Sequence, residues 1–154
     1  DLGTSPSLQT PMEAPDVKAL IYDDYCDLSG MRIAEMPDPK AGPDDVLVEV
    51  HAAGLNPIDW KVRSGQMRGR FELEFPDVAG RDLSGVVIAV GQNVDHLKKG
   101  DTVFGTCPPD RWGSHAELVA VAATALGAPR QAGLGLVLVR GDPPFLVRLL
   151  SEVP

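Results

Sequence analysis

Glycine and proline interrupt this chain so often that they limit the length of every element it can form. The 154 residues include 16 glycines and 14 prolines. Both residue types favour turns and weaken the interiors of helices and strands. The sequence therefore predicts many short strands joined by turns, with few helices, all of them short.

Six segments between these interruptions have the apolar character of strands. The clearest is VLVEVHAAGL, in which Val46, Val48 and Val50 share one face. Gly85 lies inside another such segment, where glycine often marks a bulge or a close backbone contact. HAELVAVAA is compatible with a strand or a helix. The six predicted segments are 17–24, 31–37, 46–55, 82–91, 100–105 and 115–123.

Strands of this length, separated by turns about every dozen residues, are typical of a barrel or a sandwich. They are not typical of a parallel sheet with crossover helices. We predict a mainly β fold (α+β) with a few short helices. One of these is IDWKVRSG, which has Pro57 in its first turn and Gly65 at its end.

Charge and composition argue against several classes of partner. The formal net charge is −8, whereas nucleic-acid-binding surfaces are normally basic, so no nucleic acid partner is expected. An anionic membrane surface is disfavoured for the same reason, and no run of about 18 apolar residues predicts a membrane span. Cys26 and Cys107 are too few for a disulfide framework, so two reduced thiols in the cytoplasm are expected.

The order of motifs along the chain resembles one protein family. VKALIYDD comes first, followed by AGPDDVLVEVHAAGLNPIDWKVRSG, FPDVAGRDLSGVVIAVGQNVDHLKKGDTVFG and GSHAELV. This series resembles the N-terminal half of the medium-chain dehydrogenase/reductase superfamily, in its zinc-independent quinone oxidoreductase and trans-acting enoyl reductase branch. The resemblance implies a partly open GroES-like β-barrel over residues 17–128. It also implies a cytoplasmic lineage of NADPH-dependent oxidoreductases.

The resemblance further implies a site without zinc. Zinc-dependent relatives place a cysteine ligand where Asn56 stands, and a Gly-His-Glu sequence where Gly80, Arg81 and Asp82 stand. They also carry a lobe of closely spaced cysteines, which this sequence lacks. Because zinc needs three or four converging sulfur, nitrogen or oxygen ligands, we predict no metal site.

Four residues directly after the clearest strand form the predicted site. In the resembling family Asn56 and Pro57 lie at the nicotinamide end of the cofactor pocket, where an amide can bind a carbonyl group. Asn56 is equally suited to capping the following helix. Lys61 faces the substrate in the resembling enoyl reductases and is a candidate proton donor, although lysine more commonly lies on a solvated face. Asp59 completes the catalytic set, with an ion pair to Arg63 as its structural alternative.

The two ends of the chain do not share the resemblance. Residues 1–16 are predicted to be a disordered leader or a cloning remnant. Residues 129–154 form an unrecognised tail that fits a strand and a short amphipathic helix. The family's Rossmann domain binds the cofactor pyrophosphate through a glycine-rich turn, which the tail does not match. The domain is therefore predicted to be absent, and cofactor binding by this chain alone is not expected.

Three functions remain open on these grounds. The first is a truncated or stand-alone catalytic half of an NADPH-dependent, metal-free oxidoreductase, acting on a small hydrophobic carbonyl or quinone and not redox-competent alone. The second is a non-redox small-molecule-binding protein, cyclase or isomerase on the same barrel. The third is a regulatory subunit that docks on a full-length relative. Exposed apolar surface around the cleft would favour a homodimer or a partner chain.

Overall fold

The computed structural model describes residues 16–108, 111 and 113–128. This part of the chain contains eight strands, one α-helix and two 3-10 helices, at Leu28–Gly30 and Ala123–Ala125. No helix in it is long and apolar enough to cross a membrane. The predicted tail lies outside the described residues, as does the predicted leader except for Asp16. The strands are β1 (Asp16–Tyr22), β2 (Met31–Pro37), β3 (Asp45–Ala53), β4 (Asp77–Val78), β5 (Asp82–Val90), β6 (Thr102–Thr106), β7 (Leu118–Ala122) and β8 (Leu126–Gly127), and the helix is α1 (Pro57–Arg63).

The strands form two antiparallel sheets. The larger sheet has the order β7-β3-β5-β6-β8, and the smaller one has the order β2-β1-β4. The larger sheet curls into a half-barrel. The predicted mainly β fold is therefore confirmed, and the absence of parallel pairing among the described strands agrees with it.

The six predicted strands are all present, with ends that differ by a few residues. The ambiguous segment 115–123 forms strand β7, because pairing with β3 satisfies its backbone groups. The sequence did not indicate β4 and β8, which are two residues long each. Such short strands carry no periodic pattern, so only their pairing partners define them.

Alternation along β3 builds the main core. Val46 and Val48 are fully buried, and Val50 packs against the same cluster. The cluster is completed from the neighbouring strands by Leu83, Val87, Val103, Val119 and Val121. Burying one aliphatic side chain of this size contributes about 1.5–3 kcal/mol, so this aliphatic cluster is the main stabilising contact of the larger sheet.

Gly85 allows β5 to approach β3 closely. A Cβ atom at this position would lie 2.0 Å from the carbonyl oxygen of Glu49. The β3–β5 register also shifts between Val50 and Ala52 beside this contact. The predicted close backbone contact at Gly85 is confirmed, and it increases the local bend of the sheet.

A single bridge between Ala19 and Ala116 connects the smaller sheet to the segment that leads into β7. The backbone N–H of Leu20 donates to the carbonyl of His115 over 2.8 Å, and the N–H of His115 donates to Ala79 over 2.9 Å. These bonds bring β1, the β4–β5 connection and the segment before β7 together. The N–H of Gly54, just after β3, donates to the carbonyl of Asp82 over 3.0 Å and brings the end of β3 to the same place. The predicted site residues lie at this junction.

Candidate functional site

Helix α1 begins directly where β3 ends. Asn56 occupies the N-cap position in an extended conformation, and Pro57 is the first helical residue. The backbone N–H of Asn56 donates to Oδ2 of Asp59 over 2.6 Å, which satisfies a donor at the helix start. Gly65, with a φ of 80°, follows the last turn. The predicted helix is thus confirmed, with its first turn stabilised through the Asp59 carboxylate.

The side chain of Asn56 is held by a carboxylate from the next strand. Its Nδ2 donates to Oδ2 of Asp82 over 2.7 Å, and the hydroxyl of Thr106 donates to Oδ1 of Asp82 over 2.9 Å. Asp82 and Thr106 face each other in the β5–β6 register. The backbone carbonyl of Asp82 also accepts bonds from the N–H of Gly54 and the hydroxyl of Ser114. Asp82 therefore joins the end of β3, the start of α1 and β6.

Asn56, Asp82 and Thr106 line an open cleft of about 460 Å3. The cleft is large enough for a small aromatic or carbonyl compound. Within the described residues its lining includes two of the predicted site residues, Asn56 and Pro57, but neither Asp59 nor Lys61. The full lining is Asn56, Pro57, Ile58, Arg81, Asp82, Thr106, Cys107, Pro108 and Ala125.

A second cavity of about 440 Å3 lies between the two sheets. Its walls include Val17, Met36 and Leu118, together with Lys40 and the ion pair between Asp45 and Arg111. It holds none of the predicted site residues. The cleft beside Asn56 is the candidate active site, because it holds the predicted residues Asn56 and Pro57 together with the Asp82 carboxylate that Asn56 bonds.

The side chains of Lys61 and Asp59 lie in different surroundings: Lys61 lies beside the Trp60 ring, and Asp59 bonds the start of α1. The ammonium of Lys61 lies 5.8 Å from the centre of the Trp60 ring, a cation–π distance. Asp59 is not paired with Arg63, whose guanidinium donates to the sulfur of Met31. The expected ion pair between them is therefore wrong: Asp59 turns back to the helix N-terminus, where its carboxylate bonds the N-cap backbone.

A cluster of buried charged groups lies beneath the cleft. Arg81 is 2% exposed, and its Nη1 donates to the carbonyl of Arg111 over 3.2 Å. Its Nη2 lies 3.8 Å from Oδ2 of Asp77, which also accepts a hydrogen bond from the hydroxyl of Tyr22. Burial raises the pKa of Asp77 above its usual range, and Arg81 works against that shift. Burial disfavours the ionised form of the Asp77 carboxyl, and the positive charge of Arg81 partly restores it.

His115 lies in the same buried layer, with 6% of its surface exposed. Its Nε2 is 3.0 Å from the carbonyl oxygen of Gly54, and since a carbonyl only accepts, Nε2 carries the hydrogen. Burial lowers the pKa of His115, so the ring is neutral at neutral pH. Burial also raises the pKa of Asp59, whose Oδ1 is buried and has no hydrogen-bond partner among the described residues.

The sequence singled out Asn56 and Pro57, but it did not indicate the residues that hold them. In the sequence, Asp82 stands out only because zinc-dependent relatives of the resembling family have a Gly-His-Glu sequence at Gly80, Arg81 and Asp82. Thr106 and Ser114 carried no signal, because a hydroxyl on a short strand is uninformative until its pairing partner is known.

No group of three or more His, Cys, Asp or Glu side chains converges to hold a metal ion within residues 16–108, 111 and 113–128. Asn56, at the position where the resemblance implies a cysteine ligand in zinc-dependent relatives, bonds Asp82. Cys107 lines the cleft, but burial raises its pKa to about 12, which keeps it a thiol at neutral pH.

The antiparallel half-barrel, with a polar cleft at the junction of β3 and α1, is a GroES-like catalytic domain. Residues 42–136 match the alcohol dehydrogenase GroES-like domain family. The chain belongs to this family and is an N-terminal catalytic domain of the quinone oxidoreductase branch of the medium-chain dehydrogenase/reductase superfamily.

Individual relatives agree with this assignment. A 2-methylene-furan-3-one reductase from Solanum lycopersicum is 37% identical over 125 residues, covering 77% of this chain and 31% of the reductase. A trans-enoyl reductase from Aspergillus terreus is 44% identical over 92 residues, covering 54% of this chain and 26% of the relative. The structure of a quinone oxidoreductase from Coxiella burnetii matches with a TM-score of 0.67 and 29% identity, covering 75% of this chain and 38% of that one. The chain thus spans less than a third of the length of these two curated reductases.

Proposed function

We propose that this chain is the catalytic-domain part of an NADPH-dependent, metal-free oxidoreductase that reduces quinones or α,β-unsaturated carbonyls. The observation that carries the proposal is the Asn56 amide, held on the wall of an open cleft at the end of β3. The names of similar proteins support it, among them an NADPH-dependent alkenal/one oxidoreductase from Arabidopsis thaliana. We place the protein in the cytoplasm, although several relatives are named as chloroplastic or mitochondrial.

The cleft residues suit the nicotinamide end of the cofactor. The amide nitrogen of Asn56 carries two hydrogens, and Asp82 accepts only one of them. The second has no acceptor among the described residues and can donate to the carbonyl of a ligand in the cleft. Pro57 adds an apolar surface beside the amide, against which a flat ring can pack. When bound, NADPH would supply a hydride, and Asn56 and Pro57 would orient its carboxamide and its nicotinamide ring.

Two further residues have proposed roles in proton handling. Hydride addition to an enone leaves negative charge on the carbonyl oxygen, which a nearby N–H or ammonium group stabilises. Lys61 is the proposed proton donor, reaching the cleft when its ammonium leaves the face of Trp60. Asp59 acts on the same site through the backbone N–H of Asn56, which its carboxylate holds over 2.6 Å.

The test is a titration of the purified chain, followed by nicotinamide fluorescence. The sequence offers no site for the cofactor pyrophosphate, but the proposed nicotinamide contacts lie in this domain. Reduced nicotinamide mononucleotide and NADPH should therefore bind weakly and with similar affinity. Asn56→Ala should weaken binding about tenfold, as expected for the loss of one hydrogen bond. Asn93→Ala is the matched control, since Asn93 also bonds an aspartate, Asp44, but is exposed on the surface. A flat titration of the wild-type chain with both ligands would refute cofactor binding by this domain.

We also propose that the surface around α1 docks on a partner, either a second copy or another chain. Leu55 and Trp60 are 68% and 43% exposed on either side of Asn56. Large apolar side chains exposed beside a functional cleft are typical of an interface. Sedimentation velocity over a range of concentrations tests self-association. Trp60→Ser should weaken it, whereas Val90→Ser should not, because Val90, 40% exposed, lies at the opposite end of β5 from Asp82.

A further inference from the structure

Asp82 occupies an unusual position among the cleft residues, because both of its carboxylate oxygens are already bonded to side chains. Oδ2 accepts from Nδ2 of Asn56 over 2.7 Å, and Oδ1 accepts from the hydroxyl of Thr106 over 2.9 Å. A carboxylate only accepts, so it determines which end of the Asn56 amide faces it. The nitrogen must point to Asp82, and an inverted amide would place two oxygens against each other.

The surrounding backbone also fits this arrangement. A Cβ atom at Gly54 would lie 3.0 Å from Cβ of Asp82 and 3.5 Å from Nδ2 of Asn56, so only glycine leaves this contact unstrained. The N–H of Gly54 donates to the carbonyl of Asp82 over 3.0 Å. Contacts to the backbone of Asp82 and to both of its carboxylate oxygens therefore hold the carboxylate in place.

We propose that Asp82 is a positioning residue of the cleft, which holds the Asn56 amide in one orientation while Thr106 holds the carboxylate. The amide then offers a ligand one N–H in a constant direction, and it does not flip to exchange the positions of its oxygen and nitrogen. Asp82 therefore determines that the cleft selects ligands with a carbonyl acceptor at this point. This statement about ligands rests on the proposed function, whereas the orientation of the amide does not.

The orientation is testable without any ligand. The chain contains two asparagines, Asn56 and Asn93, so labelling asparagine side chains with 15N gives two pairs of amide proton resonances. Asp82→Ala should move the Asn56 pair upfield to the position of a solvated amide and leave the Asn93 pair in place. Asp44→Ala is the matched control and should move only the Asn93 pair, since Asp44 is its acceptor.

Milder variants keep the test valid if Asp82→Ala does not fold. The isosteric Asp82→Asn keeps an acceptor without the charge, so the Asn56 pair should move only part of the way. Thr106→Val should also move it in part, and Thr106→Ser, which retains the hydroxyl, should restore the wild-type position. An Asn56 pair that stays in place in Asp82→Asn and Thr106→Val would overturn the inference.

Ligand titration then separates this inference from the proposed function. If the wild-type chain binds reduced nicotinamide mononucleotide, Asp82→Ala should weaken binding about tenfold, as expected for one misplaced hydrogen bond. Asn56→Ala should add little in the Asp82→Ala background, because the two residues act through one contact. Wild-type affinity in Asp82→Ala would overturn the positioning role while leaving the proposed function intact. A silent wild-type titration would refute the function, and the amide resonances would still decide the orientation.

Discussion

Replacing Gly80 by alanine should destabilise the domain far more than an ordinary glycine substitution. Gly80 has a φ of 89°, a conformation in which alanine costs about 1–2 kcal/mol. The added Cβ would also lie 2.3 Å from Cδ2 and 2.6 Å from Cγ of His115. Carbon atoms normally approach to about 3.5–4.0 Å, so the buried ring must move by roughly 1 Å or more.

The displaced ring accounts for most of the expected loss. Forcing extra volume into a packed region costs about 1–3 kcal/mol. Losing the bond from Nε2 of His115 to the carbonyl of Gly54 costs about another 1 kcal/mol. We therefore expect Gly80→Ala to lower the free energy of unfolding by about 3–6 kcal/mol, a large fraction of the about 5–15 kcal/mol typical of a domain.

Urea unfolding followed by tryptophan fluorescence measures this loss, and Gly100→Ala is the control. Gly100 has a similar φ of 94°, but no atom lies within 4 Å of its added Cβ. Only the backbone cost of about 1–2 kcal/mol should appear there. Equal losses in the two variants would show that the His115 ring does not lie on Gly80, and the described site would be wrong.

Two further predictions concern titratable groups. Burial lowers the pKa of His115 below its ordinary 6.5, so the unfolded chain binds more protons than the folded one as the pH falls below that value. The free energy of unfolding should therefore decrease from pH 7 to pH 5 with a slope that is smaller in His115→Gln, and parallel slopes would contradict the burial. The raised pKa of Asp59 acts in the opposite sense, stabilising the fold at low pH and losing that contribution as the pH rises. Cys107 is 1% exposed with its pKa raised to about 12, while Cys26 is half-buried. A disulfide reagent at pH 8 should label one thiol in the native chain and two in urea, and Cys26→Ser should remove the native reaction; rapid labelling of Cys107 would exclude the described packing.

Local sequence patterns predicted most of the strands and the one helix. The alternation of Val46, Val48 and Val50 defines a buried face whatever the partner strand is. Pro57 and Gly65 likewise mark the start and end of α1 through their own backbone preferences. The two-residue strands β4 and β8 were not predictable, since they exist only through their pairing.

What the sequence by itself determined is therefore the mainly β class, the position of α1, and Asn56 and Pro57 as the residues that open it. Only the tertiary structure decided what holds them. Asp82 reaches Asn56 across 26 residues, and His115 reaches Gly54 across 61. Such contacts depend on strand register, in which a shift of one residue turns every side chain to the opposite face. No local pattern encodes that register, so the supports of the site became visible only after the strands were paired.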